Sequence, residues 1–134
     1  MNYSYPLVMA IHAGFISLFR GIETTITELK SIGDENILIP SISVMELYRG
    51  MRNKAELTQM RKKLESYNII HYNEDVSKLA IKLVLDYRLS QDLSIPDAII
   101  GAMSVIYEIP LLTYNVKDFR FIPRLSLYAD QNHK

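Results

Sequence analysis

The sequence predicts a single α/β domain with a mainly parallel central sheet covered by helices on both faces. Short apolar runs, which are typical of buried strands, alternate with segments whose apolar residues recur at helical spacing. This alternation favours a parallel sheet, because the helices that connect parallel strands cover both of its faces. The length of 134 residues suits one domain over residues 1–134. Residues 1–5 and 129–134 are expected to be loosely ordered at its ends.

Short apolar runs of three to five residues are the predicted strands. They are Leu7–Ile11, Ile37–Ile39, Ile69–His71, Leu111–Thr113 and Leu125–Leu127. Because sites in such sheets gather at the carboxyl ends of the strands, residues just beyond these runs are the first candidates for function. His12, Ser41 and Asn115 are among them.

Helical periodicity is strongest after Asn73, where apolar residues from Val76 to Tyr87 form one continuous stripe. Asn73 is a suitable N-cap, and Ser41 or Ser43 could cap a helix that ends near Met51. The other predicted helices are Phe15–Phe19, Ile22–Ser31, a segment Lys54–Ser66 capped by Asn53, and Pro96–Ile106, with a turn or single helical turn over Asn115–Phe119.

Composition excludes several classes of function. Fifteen Lys and Arg residues balance fifteen Asp and Glu residues, so nucleic-acid binding would need a local basic patch rather than net charge. The absence of cysteine excludes disulfides, thiolate metal ligands and cysteine nucleophiles. No apolar run approaches the ~20 residues that span a bilayer, and residues 1–11 lack the basic residues of a secretory signal. We therefore expect a cytoplasmic protein without membrane contact.

Three carboxylates stand in otherwise apolar surroundings: Glu46 in ISVMELY, Asp97 in IPDAII and Asp118 in TYNVKDF. Each has a plain structural interpretation, as an exposed helix residue, a first-turn helix acid and a turn cap respectively. Together they follow predicted strands of one sheet. Convergent carboxylates suit Mg²⁺ or Mn²⁺, and such a metal can activate water against a phosphodiester.

Two longer segments, IPDAIIGAMSVIYEIPLLTYNVKDFRFIPRLSLY and ISVMELYRGMRNKAEL, closely resemble VapC-type PIN-domain proteins. The resemblance implies a PIN fold, an Mg²⁺- or Mn²⁺-dependent endoribonuclease acting on RNA, and the toxin half of a pair with a cognate antitoxin. It also implies a homodimer. Glu46, Asp97 and Asp118 match the family's catalytic and metal-binding acids, and Thr113 and Asn115 match polar residues beside the pocket.

The N-terminal motif departs from the family pattern. Members typically carry Asp-Thr-Asn or Asp-Thr-Asp after the first strand, whereas this chain reads VMAIHAGFISLFRG. Ile11 stands where the first metal-binding Asp is expected, or His12 does if the alignment shifts by one residue. Two hypotheses therefore remain: an active ribonuclease, and a catalytically impaired PIN module that binds RNA or a protein partner.

Six basic residues lie within fifteen positions beyond Glu46. They are Arg49, Arg52, Lys54, Arg61, Lys62 and Lys63. One interpretation is an RNA phosphate track, in which Arg49 and Arg52 would contact the substrate. The other is a solvated helix face balanced by neighbouring acids, and the sequence does not choose between them.

Overall fold

The computed structural model describes residues 7–11 and 23–128, with the backbone alone for 23–26. The strands are β1 (Val8–Ala10), β2 (Ile37–Pro40), β3 (Asn68–Ile70) and β4 (Leu111–Leu112). The helices are α1 (Glu23–Ile32), α2 (Ser41–Arg49), α3 (Lys54–Leu64), α4 (Glu74–Gln91) and α5 (Ile95–Tyr107), with 3₁₀ turns at Asp34–Asn36 and Val116–Asp118. Outside the described residues lie His12, the predicted helix Phe15–Phe19, and the two ends, 1–5 and 129–134.

The four strands form one parallel sheet in the order β3-β2-β1-β4. β1 is central, since Met9 is opposite Leu38 on one side and Leu111 on the other. The mainly parallel sheet predicted from the sequence is confirmed. Parallel order brings the ends of β2, β1 and β4 to one edge, which is where the candidate site begins.

The predicted strand Leu125–Leu127 is reduced to a single bridge between Leu127 and Leu111. Leu125 still belongs to the preceding turn, because its N–H donates to the Ile122 carbonyl at 3.3 Å. Since β4 is only two residues long, it offers too little edge for a full fifth strand.

Side chains of β1 alternate between two apolar cores. Met9 and Ile11 belong to a core that α4 and α5 cover, whereas Val8 and Ala10 belong to one that α1, α2 and α3 cover. Helices therefore pack on both faces of the sheet, as the sequence predicted. Within the described residues, no helix is both long and apolar enough to cross a bilayer.

Three helices begin with a side-chain cap. The side chains of Asn53, Asn73 and Ser94 accept from backbone N–H groups three residues further on, at 2.9, 3.0 and 3.2 Å. The cap predicted for α2 is wrong, because β2 runs into this helix without a loop and Pro40 takes the N-cap position. Ser41 and Ser43 are instead helical residues.

Ser43 is fully buried, and its hydroxyl has no hydrogen-bond partner within the described ranges. Burying an unpaired hydroxyl costs free energy, and alanine has the higher helix propensity. We expect Ser43→Ala to raise the free energy of unfolding by about 1 kcal/mol, measured by urea denaturation.

Ser104 is the matched control, because it is also buried in a helix but donates to the Ile109 carbonyl at 2.6 Å. Ser104→Ala should lower the free energy of unfolding by about 1–2 kcal/mol. Destabilisation of both variants by the same amount would show that the Ser43 hydroxyl has a partner in solution.

Candidate active site

Glu46 lies in the second turn of α2 and is half-buried. The helix fixes its position, because Val44 and Leu47 on the same helix are buried in the core beneath β1 and β2. Its carboxylate therefore stands at the margin between core and solvent, where solvent screens charge less than at a fully exposed site.

Asp97 lies in the first turn of α5, where the Ser94 hydroxyl accepts from its backbone N–H. It is half-buried, and the adjacent Ala98 is fully buried. A negative charge is favourable at this end of a helix. Because α5 packs against α2, the helices that carry Asp97 and Glu46 are in direct contact.

Asp118 lies in the 3₁₀ turn that follows β4 and is half-buried. Two hydrogen bonds shape this loop: Asn115 N–H donates to the Thr113 hydroxyl, and Asp118 N–H donates to the Asn115 carbonyl, both at 3.0 Å. The neighbouring Phe119 is buried in the core, 1% exposed. Thr113 and Asn115 therefore set the path of the loop that carries Asp118.

Ile11 directly follows the central strand, and its N–H donates to the Leu112 carbonyl at 3.4 Å. Its side chain is only 3% exposed and belongs to the core covered by α4 and α5. One of the two positions at which the sequence resemblance implies a first carboxylate is thus filled by a buried apolar side chain; the other, His12, lies outside the described residues.

The carboxylates of Glu46, Asp97 and Asp118 are hard oxygen donors, the ligand chemistry that Mg²⁺ and Mn²⁺ prefer. Within residues 7–11 and 23–128, however, no three Asp, Glu or His side chains are grouped so as to hold a metal ion. Mg²⁺ commonly keeps several waters and binds through one or two carboxylates plus substrate phosphates. The residues therefore fit a largely hydrated Mg²⁺ or Mn²⁺ in chemistry, without supplying a complete ligand set.

Arg49 and Arg52 differ in their surroundings, although both are exposed. The Arg52 guanidinium binds the Glu56 carboxylate, with Nη2–Oε2 at 2.8 Å and Nε–Oε2 at 3.2 Å. The hydrogen bonds from the Arg52 side chain and backbone lower the pKa of Glu56. Arg52 is thus held in an ion pair with Glu56, just before α3 begins.

The rest of the basic cluster lies along α3. Arg61, Lys62 and Lys63 occupy the last turn of this helix, where positive charge is favourable. Their exposure and position agree with the interpretation of a solvated helix face. Arg49, in the last turn of α2, is the basic residue of the cluster nearest in sequence to Glu46.

Two positioning residues were missed in the sequence analysis. Ser94 caps the helix that carries Asp97, and the spacing Ser-x-x-Asp is a recognisable N-terminal signal. Phe119 anchors the loop that carries Asp118. No local pattern distinguishes this phenylalanine, because its burial depends on where the loop returns to the core.

A comparison with protein-family models matches residues 14–125 to the PIN domain. The chain belongs to the PIN domain family. The PIN domain that the sequence resemblance implied is thereby confirmed. PIN domains are typically nucleases, which supports a hydrolase.

Solved structures share the fold. The chain is 28% identical to a toxin-antitoxin complex from Klebsiella pneumoniae, with a TM-score of 0.73 over 88% of this chain and 94% of that one. VapBC2 from Rickettsia felis bound to promoter DNA gives 22% identity and a TM-score of 0.74, covering 90% and 96%. VapBC-1 from nontypeable Haemophilus influenzae gives 21% identity and a TM-score of 0.72, covering 90% of this chain and 95% of that one. No curated protein matches the sequence.

Proposed function

We propose that this PIN domain is an endoribonuclease of the toxin–antitoxin type that cleaves RNA phosphodiesters with the help of Mg²⁺ or Mn²⁺. The observation that carries the proposal is the placement of Glu46 and Asp97 on two helices that pack together, in a chain matched to the PIN family over residues 14–125. Asp118, on a loop anchored by Phe119, is the third acid of the proposed site.

Glu46, Asp97 and Asp118 are the proposed catalytic residues and would hold the metal through their carboxylates. A bound divalent metal supplies water activation and offsets negative charge on the phosphodiester. The protein contributes fixed positions: the capped start of α5 orients Asp97, and the Thr113–Asn115 hydrogen bond keeps the Asp118 loop in place.

RNA contacts are assigned to Arg49 and Arg52 near the end of α2. Arg49 is exposed and would bind a phosphate directly. Arg52 would first leave Glu56, so its contribution to RNA binding should be the smaller one.

The proposed partner is a cognate antitoxin, and the proposed location is the cytoplasm, where RNA substrates and such partners occur together. The structure of a toxin-antitoxin complex that is 28% identical to this chain supports this partner. The antitoxin would keep the ribonuclease inactive until it is removed.

A second candidate function is a catalytically impaired module that binds RNA or a protein partner. Burial of Ile11, 3% exposed at the end of the central strand, favours it, because this side chain supplies no ligand to the site. The two candidate functions differ in whether bound RNA is cleaved, and RNA binding alone does not distinguish them.

Cleavage of a structured RNA in Mg²⁺ or Mn²⁺, with EDTA as the metal-free reference, tests the proposal. We expect Asp97→Asn to reduce the metal-dependent rate at least about tenfold, because altering even an indirect metal partner commonly costs 10–100-fold. Asp75→Asn is the matched control, since Asp75 is likewise a first-turn helix acid but is exposed on α4. Binding of RNA without metal-dependent cleavage would contradict the nuclease and favour the impaired module.

A further inference from the structure

One polar side chain beside the proposed site is buried without a hydrogen-bond partner. The Ser43 hydroxyl on α2 is fully enclosed, and among the residues that the structure describes none pairs with it. Buried polar groups in folded proteins are nearly always hydrogen-bonded, so an exception calls for an explanation. Within the described part of the chain, the Ser43 hydroxyl is the one buried side-chain oxygen or nitrogen in this state.

Helix geometry places Ser43 beside Glu46. Glu46 follows Ser43 by three residues within α2. Residues three apart lie on one face of a helix, with about 5–6 Å between their Cβ atoms. Long side chains on a helix also point back toward its N-terminus, over the residue three or four positions earlier. The Glu46 side chain is therefore directed toward the turn that contains Ser43.

The elements around α2 locate this turn at the proposed site. Strand β2 runs into α2 without a loop, so the first turn of α2, which includes Ser43, lies at the carboxyl edge of the sheet. Ile42 packs against the core covered by α4 and α5, whereas Val44 and Leu47 are buried in the other core. Because α2 also packs on α5, Ser43 is buried near the two helices that carry Glu46 and Asp97.

An unpaired hydroxyl at this position weakens the fold. Alanine would bury no polar atom there and has the higher helix propensity. Groups that reduce stability beside a site commonly serve the function of that site. Carboxylates that bind metals are themselves hydrogen-bonded by neighbouring groups, which fix their orientation. A serine one turn before a candidate metal-binding glutamate can supply such a hydrogen bond.

We propose that Ser43 is a positioning residue for Glu46, and that its hydroxyl donates to the Glu46 carboxylate when this carboxylate binds Mg²⁺ or Mn²⁺. A carboxylate has two oxygens, so one can face the cation while the other accepts from the hydroxyl. The inference rests on the proposed metal-dependent function and adds one residue to it. Since the hydroxyl is paired only when the metal is bound, it strengthens metal binding and weakens the fold without metal.

Calorimetry of the full chain with Mn²⁺ as the probe tests the role of Ser43. We expect Ser43→Ala to raise the dissociation constant for Mn²⁺ about tenfold, because losing the hydrogen bond to a metal ligand commonly costs 10–100-fold in affinity. Ser104→Ala is the matched control. It also removes a buried serine hydroxyl from a helix, but in the last turn of α5, away from Asp97, and should leave Mn²⁺ affinity unchanged.

Ser43→Thr separates the hydroxyl from packing. Threonine keeps the hydroxyl but adds a methyl group at a fully buried position, so this variant should be less stable than the parent. It should nevertheless bind Mn²⁺ more tightly than Ser43→Ala. If Ser43 acted through packing alone, the order would be reversed, because alanine fits the same space and threonine does not.

Urea unfolding with and without Mn²⁺ gives a second measurement. Without metal, Ser43→Ala should be more stable than the parent, and this advantage should shrink in saturating Mn²⁺ because the parent gains more from the metal. An advantage of the same size in both conditions would overturn the proposal. So would an unchanged Mn²⁺ affinity of Ser43→Ala when Asp97→Asn weakens binding, although the metal site would then stand. If Asp97→Asn also binds Mn²⁺ like the parent, the proposed metal site fails and the role of Ser43 with it.

Discussion

Replacing Ile11 with aspartate is expected to raise metal-dependent RNA cleavage by about 10²-fold, together with Mn²⁺ affinity. Ile11 follows the central strand and lies next to Leu112 of β4, where its side chain supplies no oxygen ligand. An added carboxylate would be a fourth oxygen ligand beside the proposed acids Glu46, Asp97 and Asp118. Mn²⁺ binding by calorimetry and single-turnover RNA cleavage measure the two effects separately.

The same substitution carries a cost in stability. Ile11 is 3% exposed in the core covered by α4 and α5, so an unpaired acid there should cost about 1–3 kcal/mol. Binding of Mn²⁺ to the folded state should recover part of this loss. Urea unfolding with and without Mn²⁺ checks both statements.

Two further variants show whether the gain depends on the proposed metal site. His12→Asp tests the alignment shifted by one residue, and Asp97→Asn in the Ile11→Asp background should remove any gain. If both aspartate variants fold yet match the parent in Mn²⁺ binding and cleavage, a missing ligand is not the defect. The impaired binding module would then be the better description of this PIN domain.

Replacing Phe119 with alanine is expected to lower the free energy of unfolding by about 3–5 kcal/mol. Its ring is 1% exposed in the core with α4 and α5, and deletion leaves a cavity there. Because the ring also anchors the turn that carries Asp118, cleavage should fall at temperatures at which the variant is still folded. Urea denaturation and cleavage at 15 °C separate the two effects.

Phe121→Ala is the matched control, because this ring is half-buried and packs at 4.9 Å from the ring of Tyr87. Phe121→Ala also removes a phenyl ring, two residues further along the chain. It should lower the free energy of unfolding markedly less than Phe119→Ala does. A loss equal to that of Phe119→Ala would mean that the two rings are equally important to the core and that Phe119 has no special anchoring role.

Much of the fold could be predicted because the sequence signals for helix starts and buried strands are local. Asn53 and Asn73 cap helices at the expected positions, and strand β2 matches its apolar run. The failures depend on tertiary context. Ser43 was expected as a cap but is buried, because the strand before it leaves no loop, and Leu125 stays in a turn because β4 is short.

The candidate site could be predicted only in part for the same reason. Sequence motifs predicted Glu46, Asp97 and Asp118 as candidate site acids, but contact between α2 and α5 is a property of packing that no motif states. Likewise, the sequence resemblance indicated that Ile11 or His12 stands where an acid is expected. That Ile11 is buried against the helices on one face of the sheet is visible only in the structure.

The central position of β1 also governs the order in which the candidate site is assembled during synthesis. Met9 pairs with Leu111. Of the described strands, β1 is synthesised first and must therefore wait for β4, which is synthesised last. At about 5–20 residues per second, a nascent chain spends roughly 5–20 s without that pairing. The sheet edge that bears the candidate site is therefore assembled last, so the proposed nuclease activity would arise only when synthesis of the fold is nearly complete.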